Sequence, residues 1–340
     1  MDKKMKVGTI NYHRSQNYGA LLVAYSLIAY LKKIGAEAHP IDYFPEHHTN
    51  MYPDPNKPYD DFVENYLCPM WRPDEEFDLV LYGADTLWNC YKGYGYDAVY
   101  WGSDQIKAEK KITYAISGYI KNFTEEADTL FKKNLNKFDA ISVREDSMKK
   151  YIAGFTDQDI THTCDPTFLL DIDDYSQIMS ERVVGQEYAI IYNRQLGRKL
   201  FEVAETVHKK TALDTYVLKG DGGLYDLRDN MIRKDIGPRE FLSLIRYSSY
   251  VLAASFHAVA FSIIFRKQFH TIIKNGAERA ESLLRTLDLE ERRINHTDMI
   301  DMQNKINYAH VEDKLLEFTD YSKMWLKNNV RNEKEEIHEG

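Results

Sequence analysis

The stretch Tyr250-Val-Leu-Ala-Ala-Ser-Phe-His257-Ala-Val-Ala-Phe-Ser-Ile-Ile-Phe265 decides the fold. Residues 250–254 form a short apolar, β-prone run, of the kind that belongs in a parallel sheet buried on both faces. Residues 258–265 are too apolar for a surface helix and predict one packed under that sheet. His257 therefore falls where strand gives way to helix, at the carboxyl edge where open α/β sheets bind ligands. A helix N-terminus at that place offers free N–H groups and the positive end of a dipole, a seat for an anion. Taken alone, such a histidine is as readily a satisfied core residue.

Outward from this stretch, strand and helix signals alternate in the rhythm of βαβ units. In the first half, strands are expected at 6–12, 38–43, 78–82, 111–117, 140–144 and 160–164, with helices at 18–32, 124–136 and 145–153. Residues 44–76 break into Pro, Asp, Asn and His and predict a long irregular excursion. Asp165-Pro166 stops the run, since the residue before proline is pushed out of helical conformation. In the second half, strands are expected at 188–192, 214–218, 250–254 and 270–273, and helices at 198–209, 238–246, 256–265 and 279–287. The expected fold class is α/β: two doubly wound, Rossmann-like domains, 1–172 and 186–310, facing each other across a cleft in the GT-B manner. An amphipathic helix within 311–330 is placed to cross back to the first domain, and the charged end 331–340 is expected to fray.

Composition narrows the function. The 340 residues are 44% hydrophobic, enough to fill two cores. The formal charge of −9 comes without a strongly basic block, which argues against a nucleic-acid partner. No apolar stretch approaches the ~20 residues needed to span a bilayer. The start, Met1-Asp-Lys-Lys-Met-Lys6, lacks the apolar segment of a signal peptide. Cys68, Cys90 and Cys164 are scattered and form no CxxC pair, which fits a reducing, cytoplasmic location. His47-His48 has no third ligand at metal spacing, and Lys219-Gly-Asp-Gly-Gly223 lacks the spacing of a phosphate loop and predicts a hairpin turn instead.

Seven blocks, in order from residue 7 to about 295, carry a family resemblance. Residues 250–265, followed by Arg266-Lys-Gln-Phe269, resemble the "SFHG-AFSIIF-KPF" block of polysaccharide pyruvyl transferases. Asn17-Tyr-Gly-Ala20 resembles their "NYGA" helix entry, and Leu81-Tyr-Gly-Ala-Asp85-Thr-Leu-Trp88-Asn89 is similar to "GSDQ-W-N". Ile112-Thr-Tyr-Ala-Ile-Ser117, Ile141-Ser-Val-Arg144-Glu145, Asp165-Pro-Thr-Phe-Leu-Leu170 and the run from Ser282 to Arg292 resemble "YA-S", "ISVRE", "DPT-LL" and "SLL..L.L..R". Two departures stand out. Ser255 replaces an arginine found two residues before the histidine in many members, and Gly83-Ala-Asp-Thr86 replaces "GSDQ".

The resemblance implies ketal formation: phosphoenolpyruvate gives its pyruvyl group to two hydroxyls of one sugar, lipid-linked or polymeric, and phosphate leaves. Such a site needs a bidentate cation, an acid and a base. His257 is the candidate acid, Asp85 the candidate base, and Arg144, at a strand end, the candidate fork for a carboxylate or phosphate. Each has a plainer reading: a core histidine, a turn or cap aspartate, and a salt bridge to Glu145 or Asp146. Asn17, Gly19, Ser255, Glu240, Lys274 and Arg279 are the candidate substrate-binding residues. No metal or cofactor is expected, because no Asp/Asp, His/Glu or Cys cluster has ligand spacing. The competing functions are a GT-B glycosyltransferase taking a nucleotide sugar and a non-catalytic glycan-binding member of the family.

Overall fold

The structure is a computed structural model describing residues 4–43, 57–89, 96–193, 200–220, 223–226, 232–233, 236–273 and 277–330. The first half runs β1 (Lys6–Ile10), α1 (Tyr18–Lys33), β2 (Glu37–Pro40), α2 (Lys57–Phe62), β3 (Glu76–Asp85), β4 (Lys107–Ile116), α3 (Glu125–Asn134), β5 (Ala140–Val143), α4 (Asp146–Ile152) and β6 (Ile160–His162). After the short α5 (Ile172–Ser176) come β7 (Tyr188–Asn193), α6 (Leu200–Thr211), β8 (Asp214–Lys219), β9 (Leu224–Asp226), β10 (Ile232–Arg233) and α7 (Pro238–Tyr247). The chain then forms β11 (Tyr250–Ala253), α8 (Phe256–Ile264), β12 (Phe269–Thr271), α9 (Ala277–Thr286) and α10 (Tyr308–Val330).

Two six-stranded sheets result, in the orders β2-β1-β3-β4-β5-β6 and β10-β9-β8-β7-β11-β12. The first is parallel throughout. In each sheet the chain leaves its first strand toward opposite sides, so switch points lie between β1 and β3 and between β7 and β11. Ligands of open α/β sheets bind in such crevices. The Lys219–Gly223 turn is the expected hairpin: β8 and β9 pair antiparallel, and the Lys219 amide donates to the Gly223 carbonyl at 2.9 Å.

Some elements differ from expectation for local reasons. β3 and β4 extend beyond their apolar runs, because Glu76 and Lys107 still pair in the ladder where the sheet reaches solvent. β2 ends at Pro40, beyond which Ile41 bridges to Trp71 while its N–H still donates to the Thr9 carbonyl at 2.9 Å. The excursion contains α2 and a π-helical turn (Val63–Leu67), since Tyr59, Phe62, Val63 and Leu67 bury themselves at helical spacing. Residues 44–56 of that excursion, with His47 and His48, lie outside the described residues, as do Cys90, Lys274 and the tail 331–340.

One apolar core runs from the first sheet into the second, joining Val7 and Leu81 to Ile190 and Val251. Tyr18, fully buried at the start of α1, stacks between Tyr59 and Phe241 with ring centroids 5.2 and 5.1 Å away. The last helix bridges both halves. Its Tyr308 hydroxyl donates to the Ser262 carbonyl in α8 at 3.2 Å, while Ser322 Oγ accepts the Cys164 N–H at 2.9 Å beside the first sheet. Among the described residues no helix is long and apolar enough to cross a membrane.

Ser322→Ala leaves the buried Cys164 amide without its acceptor. The expected loss is about 1–3 kcal/mol in urea denaturation, and an unchanged midpoint would show that α10 is not fastened there.

Candidate active site

Four neighbouring strands of the first sheet each bring a side chain to one edge. Asp85 ends β3, Ser117 follows β4, Arg144 and Glu145 follow β5, and Asp165 follows β6. From the second half, His257 opens α8 directly after β11, and Arg279 comes from the first turn of α9. Arg144 is the centre of the group. Its Nη1 donates to Asp165 Oδ2 at 2.7 Å and its Nε to Glu145 Oε1 at 3.2 Å, while Nη2 lies 3.7 Å from Asp85 Oδ1. The guanidinium also sits over the Phe256 ring, 4.7 Å from its centroid. His257 Nε2 is 3.8 Å from Asp165 Oδ2, an ion-pair distance too long for a hydrogen bond. Arg279 Nη1 is 3.9 Å from Asp85 Oδ1, and its Nη2 donates to the Tyr119 hydroxyl at 3.1 Å.

Local sequence explains these positions. Gly83 has φ of 138°, and a Cβ there would lie 2.0 Å from the Tyr114 carbonyl oxygen, so only glycine lets β3 turn against β4. Asp85, two residues on, is held at φ of 86°, a costly conformation for a residue with a Cβ and one that collects at functional sites. Asp165 is fixed by its neighbours: Thr167 gives it an N–H at 3.0 Å and a hydroxyl at 2.8 Å. A Cβ on Gly19 would fall 1.9 Å from His257 Nδ1, so the first turn of α1 rests directly on the imidazole.

Burial and charge set the protonation of the carboxyls. Burial pushes Asp85 up, but Arg144, His257, Arg279 and the Thr86 amide together outweigh it and hold the group below the usual carboxylate range. Asp165 behaves alike: burial is the largest single influence, and His257 with Arg144 overcomes it, leaving the carboxyl far below its usual range. Glu145 goes the other way. Its burial prevails over Arg144, Arg279 and Ser117, and its proton affinity is raised. Three buried atoms here have no hydrogen-bond partner: Arg144 Nη2, Glu145 Oε2 and His257 Nε2. Orphaned buried polar atoms in one group are costly to the folded chain alone, which makes them candidates for ligand contact.

Of the residues singled out in sequence, His257, Asp85, Arg144 and Arg279 are brought together. Gly19 touches the imidazole, but through packing. Asn17 caps α1, its side chain accepting the Gly19 N–H at 3.0 Å, and Ser255 caps α8 by accepting from Ala258 at 3.2 Å. Glu240 takes the Gly237 amide at 2.9 Å in a capping box, the dipole-complementing role open to it. Arg144 does pair with Glu145, yet Asp165 is its closer partner and Asp146 instead meets Arg285 at 2.8 Å. Sequence reasoning passed over Asp165 and Glu145 as site residues. Both sat inside quoted motifs, immediately after apolar strands, and that position was the available signal. Among the described residues no group of three or more His, Cys, Asp or Glu is arranged to hold a metal ion.

Two expectations follow from this geometry. Gly19→Ala forces its methyl into His257, so unfolding in urea should show a loss of about 1–3 kcal/mol, and an unchanged midpoint would mean the contact is loose. The depressed Asp85 and Asp165 contribute stability above the unfolded carboxylate pKa of ~3.9, and it is lost as pH falls through their lower folded values. Glu145, being raised, has the opposite sign: its contribution is complete below the unfolded pKa of ~4.3 and is lost as pH rises through the folded one. Asp165→Asn should therefore flatten the fall of Tm below about pH 4. A wild-type slope in that variant would assign the acid limb to other carboxylates.

A family model described as polysaccharide pyruvyl transferase matches residues 17–274. No match exists among curated protein sequences. Among solved structures, a putative UDP-N-acetylglucosamine 2-epimerase from Listeria monocytogenes is similar at 12% identity with a TM-score of 0.58, covering 98% of this chain and 98% of that one. The UDP-GlcNAc 2-epimerase of Methanocaldococcus jannaschii, solved with UDP-GlcNAc and UDP, is 12% identical with a TM-score of 0.54, covering 94% of this chain and 100% of that one. A glycosyltransferase from Rickettsia africae is 14% identical with a TM-score of 0.50, over 100% of both chains. At these identities the likeness concerns the fold, which is the α/β, Rossmann-like, GT-B type expected from the sequence. With its match running from 17 to 274, the chain belongs to the polysaccharide pyruvyl transferase family.

Proposed function

We propose that this protein transfers the pyruvyl group of phosphoenolpyruvate to two hydroxyls of one sugar residue, forming a ketal and releasing phosphate, in cytoplasmic assembly of a surface or exported polysaccharide. The observation that carries the reading is the convergence of Arg144 and His257, whose buried Nη2 and Nε2 make no hydrogen bond, with Arg279 and the N-terminus of α8 at one sheet edge. Free N–H donors and a helix end there suit a carboxylate and a phosphate.

In this reading Arg279 and Nη2 of Arg144, which makes no hydrogen bond in the protein, hold the anion. Arg279 suits the task because it is less committed inside the protein than Arg144, whose other donors serve Asp165 and Glu145. His257, in its protonated form, gives the proton that turns the enol methylene into a methyl. The hydroxyl oxygen attacks the pyruvyl carbon; after phosphate departs, the second hydroxyl closes the ketal. Of the two hydroxyl protons, one replaces the proton given to the methyl and the other leaves with phosphate. The base role needs a carboxyl with real proton affinity. Asp85, cited for it from sequence, is held deprotonated by three cationic neighbours, so we transfer the role to Glu145, whose affinity is raised and whose Oε2 is unpartnered. Asp85 then balances Arg144 and Arg279. The mechanism routes no step through a divalent ion.

His257→Ala should lower phosphate release from phosphoenolpyruvate, measured with a panel of nitrophenyl and lipid-linked sugars, by about 10²–10⁴-fold with the fold retained. Unfolding of the variant with unchanged activity per folded molecule would make His257 a core residue. The same assay should survive exhaustive EDTA treatment. Activity lost in EDTA and restored by magnesium, together with a thermal shift from nucleotide sugars and none from phosphoenolpyruvate, would replace this reading with glycosyl transfer.

A further inference from the structure

The two arginines of the site are held in different ways. Arg144 gives N–H groups to Asp165 and Glu145 at 2.7 and 3.2 Å, so its place is set by carboxylates. Arg279, with its side chain 15% exposed, gives no hydrogen bond to a carboxylate among the described residues. Its approach to Asp85 stops at 3.9 Å, an ion-pair distance without a hydrogen bond. A long, rotamer-rich side chain beside a carboxylate would be expected to close the remaining gap into a forked salt bridge. Something else therefore fixes Arg279.

That group is Tyr119, on the segment after β4. Its hydroxyl accepts from Arg279 Nη2 at 3.1 Å, and its ring centroid lies 4.9 Å from Cζ, so the guanidinium is engaged at an edge and over a face. The segment that carries Tyr119 is itself fastened to the site. Two residues earlier, the Ser117 N–H donates to the Asp85 carbonyl at 3.0 Å, and the Ser117 hydroxyl donates to Glu145 Oε1 at 2.7 Å. On the other side, α9 is docked by Glu278, which meets Lys121 at 2.7 Å, and by Ser282, whose Oγ accepts the Asp146 N–H at 3.2 Å. A carboxylate in place of Tyr119 would neutralise Arg279. A phenol orients the guanidinium and leaves its charge for an anion.

We propose that Tyr119 is a positioning residue: it holds Arg279 out of a full salt bridge with Asp85, so that the guanidinium stays available to an anionic ligand. The inference rests on the reading above in taking that ligand to be the donor, phosphoenolpyruvate.

The test is isothermal titration calorimetry on the full chain, with phosphoenolpyruvate and inorganic phosphate as separate ligands. Arg279→Gln and Tyr119→Ala should each weaken phosphoenolpyruvate about tenfold or more, the scale of one charged hydrogen bond or a desolvated cation–π contact. Tyr119→Phe, which keeps the ring, should lie between Tyr119→Ala and the wild type. The double variant Tyr119→Ala/Arg279→Gln should bind no more weakly than Arg279→Gln alone, because the tyrosine acts only through the arginine. Losses that multiply in the double variant would overturn the proposal, as would a Tyr119→Ala variant with lowered Tm and unchanged affinity, the mark of a residue that serves the fold. If Arg279→Gln weakens binding and Tyr119→Ala does not, the positioning role fails while the anion site stands. If the coupled losses appear with phosphate and the wild type never binds phosphoenolpyruvate, the positioning role stands and the donor assignment fails. A wild type that binds neither anion overturns both.

Discussion

The buried ion group around Arg144 is the interaction on which the rest of the crevice depends. Three carboxylates, Asp85, Glu145 and Asp165, arrive at the ends of β3, β5 and β6, and one guanidinium faces them all. Alone, each of those carboxyls would be driven toward its neutral form by burial. Arg144 keeps Asp85 and Asp165 charged, and these in turn hold His257 and Arg279 on the second half of the molecule within ion-pair distance. Removing a buried cation of this kind strands its partners, so Arg144 cannot be judged as a ligand-binding residue apart from its part in the fold. The lysine that would replace it as a point charge could not fork to Asp165 and Glu145 simultaneously.

Much of this architecture was legible because it rests on local pattern. Buried parallel strands are apolar runs, and such runs marked β3, β4 and β5; the position of His257 followed from a strand passing directly into an apolar helix. The excursion was harder. Tyr59, Phe62, Val63 and Leu67 form a helical stripe, but the flanking Pro and Asp residues masked it. β9 and β10, short antiparallel strands at the edge of the second sheet, were missed. The identity of the site residues was only half legible. Strand-end placement marks a residue as available to the edge, which served for Asp85 and Arg144. It does not tell which carboxyl is charged, because that follows from distances between segments remote in sequence. Asp165 and Glu145 could be seen as motif letters, and their electrostatic difference appears only when Arg144, Arg279 and His257 are set around them.

The two departures from the family pattern acquire a physical meaning in this setting. Ser255, where many members have arginine, uses its hydroxyl to cap α8, the helix that opens with His257. A cap of this kind fixes the turn that presents the imidazole, a task an arginine side chain cannot perform in the same way. Arg279 reaches Asp85 from α9 and is braced against the Tyr119 ring, 4.9 Å from its centroid. At the other departure, Ala84 stands for the serine and Thr86 for the amide of the family motif; the Thr86 N–H supports Asp85 while its carbonyl receives both Tyr12 and Asn89. The turn that carries the strained carboxylate is therefore fastened to the segment after β1 through the Tyr12 hydroxyl.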